Sequence, residues 1–100
     1  MAVKRELTAS EIMQTLAQTR TRLERMAVRR IGLFGSYRRA EAHHDSDIDL
    51  LVTFEKPSFD VYRDVKIYLE DLFGREIDLV IEETTKPRLR AYILSEVEYA

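Results

Sequence analysis

The segment DIDLLVTF, residues 47–54, places two carboxylates at alternate positions of an otherwise apolar stretch. Successive side chains of a β-strand point to opposite faces of the sheet. Asp47 and Asp49 therefore share one face with Leu51 and Thr53. The other face carries only apolar side chains, those of Ile48, Leu50, Val52 and Phe54. This pattern predicts a strand that packs against helices on one face and presents two carboxylates together on the other.

A second segment, residues 75–82, repeats the pattern and adds a third carboxylate. Asp78 and Val80 share one face of this predicted strand. Its apolar face is formed by Ile77, Leu79 and Ile81. If the two strands are neighbours, Asp78 lies beside Asp47 and Asp49, and three carboxylates so close repel each other unless a cation lies among them. An isolated pair of this kind is usually solvated surface, but Asp is depleted in strands, and the repetition favours a site.

The pair Gly35-Ser36 follows an apolar segment that we predict as a first strand over 28–34. Glycine allows backbone angles closed to other residues, so a turn there can direct successive N–H groups at one anion. Ser36 adds a hydroxyl donor. Such a turn could hold the terminal phosphates of a nucleoside triphosphate. A plain strand-ending turn explains the pair equally well, and only its spacing to the two carboxylates favours phosphate binding.

Helical patterns surround the three strands. Thr8 begins the first helix with a capping box, and the next helix has Ser58 as its cap and Gly74 at its end. The predicted helices are those over 9–26, over 59–73 and after Pro87. The resulting order αββαβα predicts an α+β fold, a small mixed β-sheet with helices packed on one face. We expect a single domain over residues 1–100.

The composition excludes several classes of function. The net charge of −2 argues against generic affinity for nucleic acid, so we expect no direct binding of DNA or RNA. No apolar run approaches the length of a membrane span, and the absence of cysteine excludes disulfides, thiolate zinc sites and a cysteine nucleophile. We therefore expect a cytoplasmic protein without membrane contact. His43 and His44 lie in a polar loop predicted over 40–46, where a solvated role is expected. With these exclusions, the carboxylates form an all-oxygen ligand set that suits Mg²⁺ or Mn²⁺.

The motif Gly35-Ser36, followed after ten residues by Asp47-Ile48-Asp49, resembles the signature of the DNA polymerase β-like nucleotidyltransferase superfamily. The surrounding segments GLFGS and DSDIDLLV make the resemblance more specific. It extends over nearly the whole chain, from residue 12 to residue 99. At this length the sequence looks like a minimal nucleotidyltransferase of prokaryotes, the kind often paired with a HEPN-domain toxin. The resemblance implies a nucleotidyltransferase fold similar to the polymerase β palm.

The resemblance implies catalytic and metal-binding roles for the three carboxylates. Asp47 and Asp49 match the metal-binding pair of the family. Asp78 matches the third acid, which in active members helps to hold one metal ion and to activate the attacking hydroxyl. Two Mg²⁺ ions, which Mn²⁺ could replace, would clamp an in-line displacement at the α-phosphate of ATP.

The resemblance also implies a set of groups that bind the phosphates of ATP. Gly35 and Ser36 match the phosphate-binding turn. Arg39 lies near a frequent family arginine that could contact phosphates. The residue after that arginine is often glycine, whereas this chain has Ala40 there, so the resemblance is weaker at this point of the backbone.

A metal-dependent nucleotidyltransferase that acts as an antitoxin is the function that the resemblance implies. Such a protein would transfer AMP from ATP to a tyrosine of a partner HEPN RNase toxin and so block its activity. One alternative is an antitoxin that neutralises the toxin by direct binding without catalysis. Another is nucleotidyl transfer to a small molecule, although antibiotic-modifying relatives are usually longer. The intact set Ser36, Asp47, Asp49 and Asp78 favours the enzyme.

Overall fold

The computed structural model describes residues 7–43 and 45–100. Within these ranges the backbone forms four strands and five α-helices, with one short 3₁₀ helix, Glu82–Thr84. The strands are β1 (Val28–Phe34), β2 (Ile48–Phe54), β3 (Ile77–Ile81) and β4 (Glu98–Tyr99). The helices are α1 (Ala9–Gln18), α2 (Arg20–Arg25), α3 (Gly35–Arg38), α4 (Phe59–Phe73) and α5 (Pro87–Glu96).

The four strands form one mixed sheet in the order β3-β2-β1-β4. β1 is antiparallel to both of its neighbours, β2 and β4. β2 and β3 are parallel, which requires a crossover connection, and α4 supplies it. The register of this parallel pair places Asp49 opposite Asp78, while Phe34 at the end of β1 lies opposite Asp49. The predicted fold class, a small mixed α+β sheet, is confirmed.

The larger core covers one face of the sheet. Helices α1 and α2 contribute Ile12, Leu16 and Leu23, and α4 contributes Val65 and Leu69, all of them buried. The strand residues of this core are Val28, Ile31, Leu33, Ile48, Leu50, Val52, Phe54, Ile77 and Leu79. The apolar faces predicted for the second and third strands are therefore the faces that pack against helices.

The prediction of helices packed on one face holds for α1, α2 and α4, and α5 packs in addition on the opposite face of the sheet. Ile93 of α5 is buried against Phe34 and Leu51, and the partly buried Val80, Val97 and Tyr99 complete this smaller cluster. Burying one apolar side chain of α5 anchors the helix across the face that carries the carboxylates. The position of α5 therefore matters for the site described below.

The predicted helix boundaries are confirmed at three ends. The Thr8 hydroxyl accepts a hydrogen bond from the Glu11 N–H at 3.1 Å, and the Glu11 carboxylate accepts one from the Thr8 N–H at 3.2 Å, which completes the capping box. Ser58 accepts from the Val61 N–H at 3.1 Å at the start of α4. Gly74 ends that helix in the left-handed region, with φ of 64°.

Other boundaries differ from the predictions. The helix predicted over 9–26 is two helices, because Thr19 leaves helical geometry and its hydroxyl donates to the carbonyls of Thr15 and Leu16. The last helix ends at Glu96, and the extended backbone of Val97 leads into β4, which sequence patterns did not predict. In the described ranges, no helix is long and apolar enough to cross a membrane.

Candidate active site

The centre of the site is the pair formed by Asp49 on β2 and Asp78 on β3. Their opposition in the parallel register brings the two carboxyl groups into interaction. The pKa of Asp49 is raised to about 6, first by burial and then by the charge and hydrogen bond of Asp78 and the charge of Asp47. A hydrogen bond from the Ser36 backbone N–H opposes this rise. Among the described residues, the largest influences on the pKa of Asp49 include no positively charged side chain, so the negative charge of the pair is largely uncompensated there.

Asp47 is exposed and lies one residue before β2, so it is not part of the strand that we predicted to begin there. It precedes Asp49 by two residues, and its charge contributes to the raised pKa of Asp49. Across residues 7–43 and 45–100, however, no three acidic, histidine or cysteine side chains are already arranged as a metal-ligand group. We expected three carboxylates to converge. Among the described residues, Asp49 and Asp78 form a close pair, and Asp47 is a third acid nearby.

The donor set nevertheless fits a divalent cation. Carboxylate oxygens are hard ligands of the type that Mg²⁺ and Mn²⁺ prefer. The repulsion that contributes to the raised pKa of Asp49 is the interaction that a cation would relieve. His43 is exposed in the preceding loop, and His44 lies outside the described residues.

The Gly35 turn adjoins this pair because Phe34, the residue before it, lies opposite Asp49 in the sheet. Gly35 has φ of 78°, in the region that favours glycine. A Cβ at this position would overlap the Asp49 carboxylate. Glycine is therefore required at position 35 both by the backbone angle and by the close approach of the Asp49 side chain.

The N–H groups of Gly35 and Ser36 already have partners within the chain. The Gly35 N–H donates to Oε2 of Glu96 at 2.7 Å, and the Ser36 N–H bonds to Asp49. These two groups therefore do not form the open anion nest that the sequence predicted. They instead tie the turn to one carboxylate on α5 and to another on β2.

Arg39, which follows α3, lies between two carboxylates. Its Nε is 2.9 Å from Oε1 of Glu41, and its Nη1 is 3.0 Å from Oε2 of Glu96. The hydrogen bond to Glu41 and then that to Glu96 raise the pKa of Arg39 above its ordinary value. Ala40 has φ of 59°, so the backbone there has the left-handed geometry that glycine adopts most easily. The family that the sequence resembles often has glycine at this position.

Sequence reasoning missed Glu96. It contacts Gly35 and Arg39, two of the residues that we assigned to phosphate binding. A signal was present, because Glu96 follows the buried Ile93 by three residues and so lies on the sheet-facing side of α5. The hydroxyl oxygen of Tyr92, on the same helix, lies 3.5 Å from Nη1 of Arg39. The turn, the arginine and α5 thus form one connected group beside the carboxylate pair.

Comparison with known proteins gives a consistent family assignment. Residues 14–100 match the family described as Nucleotidyltransferase domain. The chain is 44% identical over 95 residues to protein adenylyltransferase MntA of Thermococcus cleftensis, an alignment that covers 93% of this chain and 96% of that protein.

Two solved structures extend the comparison. A protein assigned as a minimal nucleotidyltransferase superimposes with a TM-score of 0.80 at 33% identity, over 92% of this chain and 95% of that chain. A complex of the tri-AMPylated HEPN toxin of Shewanella oneidensis with its MNT antitoxin gives a TM-score of 0.65 at 18% identity, over 86% of this chain and 68% of that chain. At that identity the likeness shows the shared fold alone.

Proposed function

The chain belongs to the nucleotidyltransferase domain family, and on that premise we propose that it is a metal-dependent protein adenylyltransferase that acts as an antitoxin. It transfers AMP from ATP to a tyrosine of a partner HEPN toxin and thereby neutralises that toxin. The observation that carries this proposal is the opposition of Asp49 and Asp78 beside the Gly35 turn. The 44% identity to a protein adenylyltransferase over nearly its full length supports the choice of reaction.

Asp47, Asp49 and Asp78 are the residues that would hold the divalent cations, two Mg²⁺ or Mn²⁺ ions. When bound, the ions supply positive charge to the triphosphate and lower the pKa of the attacking hydroxyl. The chain's own part is to hold two carboxylates at a fixed separation on adjacent parallel strands. A strand framework suits this role because its register is set by the buried face.

The reaction replaces the phosphoanhydride bond between the α- and β-phosphates of ATP with a phosphodiester bond to the tyrosine. The tyrosine oxygen bonds to the α-phosphorus, and the bond between that phosphorus and the pyrophosphate oxygen breaks. The tyrosine proton passes to a carboxylate, for which Asp78 is the candidate because it is exposed at the edge of the pair. Pyrophosphate leaves with the bonding electron pair. Positioning and charge compensation supply most of the rate in this type of chemistry.

The triphosphate is assigned to Arg39 and to the Gly35-Ser36 turn, where the Ser36 hydroxyl is the donor because the two N–H groups already have partners. Ser36 is half-buried beside Asp49, so its hydroxyl is placed to donate to a phosphate oxygen. Arg39 is the positively charged member of the assigned residues, and it shares the Glu96 carboxylate with the Gly35 N–H. We expect the protein to act in the cytoplasm, where ATP is available. Its net charge of −2 gives no reason to expect nucleic acid as a substrate.

The test is an AMP-transfer assay with a matched pair of variants. The purified chain is incubated with labelled ATP, Mg²⁺ and the HEPN-domain protein encoded beside it, and label and mass are followed. Asp49→Asn is expected to lower the transfer rate by about 10³-fold, since it removes a charge central to the cation site. Asp71→Asn, which changes an exposed acid on α4, should transfer AMP at the parent rate.

Three outcomes decide the proposal. AMP on a tyrosine of the partner, lost in Asp49→Asn, supports it. Tight binding of the partner without any label supports neutralisation by contact and overturns the enzymatic proposal. Unimpaired transfer by Asp49→Asn would contradict the assignment of the site.

A further inference from the structure

Glu96 occupies a central position beside the site although no motif includes it. It is the last residue of α5, and its side chain is 17% exposed. The carboxylate accepts from the Gly35 N–H at 2.7 Å and from Nη1 of Arg39 at 3.0 and 3.1 Å. A single acidic side chain therefore connects the turn with the arginine.

The support of this carboxylate is rigid. Ile93, one helical turn earlier, is buried against Phe34 and Leu51, which fixes α5 on the sheet. After Glu96 the chain enters β4, which pairs with β1. Glu96 is thus held between a packed helix and a paired strand, both of which contact the strand that leads into Gly35. A side chain that is fixed in position in this way can orient the groups that it binds.

The contacts of Arg39 leave one edge of its guanidinium available. Glu41 binds Nε and Glu96 binds Nη1. Within the described part of the chain, Nη2 has no hydrogen-bond partner. A guanidinium held at two nitrogens has few orientations open to it, so its remaining donors are directed rather than free to rotate.

We propose that Glu96 is a positioning residue for nucleotide binding. It holds Arg39 and the Gly35 turn in the arrangement that receives the triphosphate of ATP. This inference rests on the proposed function, because it takes the roles of Arg39 and Gly35 from it. Glu96 itself contacts neither nucleotide nor acceptor, and its effect reaches the phosphates only through the two groups that it binds.

The test uses a variant that separates charge from shape. In Glu96→Gln the side-chain oxygen can still accept from the Gly35 N–H, but the charge that holds Arg39 is lost. We expect a rise of about tenfold in the Kd for the ATP analogue AMP-PNP with Mg²⁺, measured by calorimetry, and in the KM for ATP. The value of kcat should change by less than about threefold, because the reacting atoms are untouched.

A double-mutant cycle shows whether Glu96 acts through the arginine. Arg39→Gln alone should weaken binding by a similar factor, and adding Glu96→Gln to it should have little further effect. Glu98→Gln is the matched control, since Glu98 is an exposed acid two residues away that pairs with Arg38 at 3.8 Å. It should bind AMP-PNP as the parent does.

The outcomes separate this inference from the proposed function. Unchanged binding in Glu96→Gln overturns the inference, as does tighter binding, which would mean that the carboxylate competes with phosphate. Additive losses in the double variant also overturn it. If the parent binds AMP-PNP with this Glu96 dependence but transfers no AMP, the inference stands and the proposed function fails. Should Glu96→Gln not fold, Glu96→Asp, which keeps the charge on a shorter side chain, replaces it, with a rise in Kd of about threefold expected.

Discussion

The two faces of β2 differ in what covers them, although they belong to the same seven residues. On one face the side chains of Ile48, Leu50, Val52 and Phe54 are at most 1% exposed beneath α1, α2 and α4. On the other, only Leu51 is fully buried, and Asp49 stands beside it with a pKa raised to about 6. One strand therefore combines an ordinary core surface with a surface that carries uncompensated charge.

The comparison shows how a small protein can tolerate such a site. Burial of apolar surface on the face covered by α1, α2 and α4 supplies most of the stabilising free energy. The opposite face, held by Ile93 of α5 and its few neighbours, can then accommodate a pair of repelling carboxylates. Functional sites commonly reduce stability in this way. Substitutions on the two faces should therefore change the free energy of unfolding by unequal amounts or in opposite directions. The predictions below compare matched positions to test this.

The largest effect on stability is expected in the larger core. Leu50→Ala removes a side chain that is 0% exposed and leaves a cavity between the sheet and three helices, so the free energy of unfolding should fall by about 4 kcal/mol. Leu51→Ala, on the other face, removes a side chain that is 1% exposed from a much smaller cluster, which can collapse more easily. We expect a loss of about 2 kcal/mol there. Urea unfolding measures both, and an equal or larger loss for Leu51→Ala would contradict the difference between the faces.

The next effect concerns the turn and uses two glycines with similar backbone angles. Gly35 and Gly74 have φ of 78° and 64°, so alanine strains the backbone at both by about 1 kcal/mol. A Cβ at Gly35 would also overlap the Asp49 carboxylate, whereas one at Gly74 meets nothing within 4 Å. Gly35→Ala should therefore lower AMP transfer by about 10²-fold because it displaces a catalytic group, and Gly74→Ala should leave transfer unchanged. Equal activities in the two variants would show that this close contact is unimportant for catalysis.

Much of the carboxylate arrangement was predictable because it follows from local rules. Alternation along a strand assigned Asp49 and Asp78 to the faces away from the main core, and the structure confirms these faces. Their direct opposition also required that the two strands be neighbours in this register, and a helical crossover between them favours the parallel pairing. The capping residues of α1 and α4 were predictable for the same reason, since each cap involves residues three positions apart.

The remaining features depend on contacts between distant parts of the chain. Glu96 and Gly35 are 61 residues apart, and their hydrogen bond depends on where α5 crosses the sheet, which no local pattern determines. The side of the sheet chosen by α5 was missed because that helix buries only Ile93 fully. The break at Thr19 was missed because the hydroxyl competes for carbonyls within a segment of helical periodicity.

The smallest predicted effect concerns the face of β2 that carries Asp49, and it is measured as the free energy of unfolding of the metal-free protein. The folded-state pKa of Asp49, about 6, lies above its ordinary value of 3.8. Between these two pH values the folded protein retains a proton that the unfolded chain releases, so stability falls as the pH rises through this window. Asp49→Asn removes the penalty and should be more stable than the parent above pH 6, by about 1 kcal/mol after allowance for solvent screening of a half-exposed group.

Well below pH 3.8 the difference between Asp49→Asn and the parent should disappear, because the Asp49 carboxyl is then protonated in both the folded and the unfolded parent. Urea unfolding in EDTA at both ends of the window measures this, with Asp71→Asn as the exposed control. Adding Mg²⁺ at pH 7.5 should stabilise the parent and not the variant, because only the folded parent keeps the complete set of carboxylates. A parent more stable than Asp49→Asn in EDTA at pH 7.5 would mean that this face carries no electrostatic penalty, and the contrast between the two faces of β2 would then be one of packing alone.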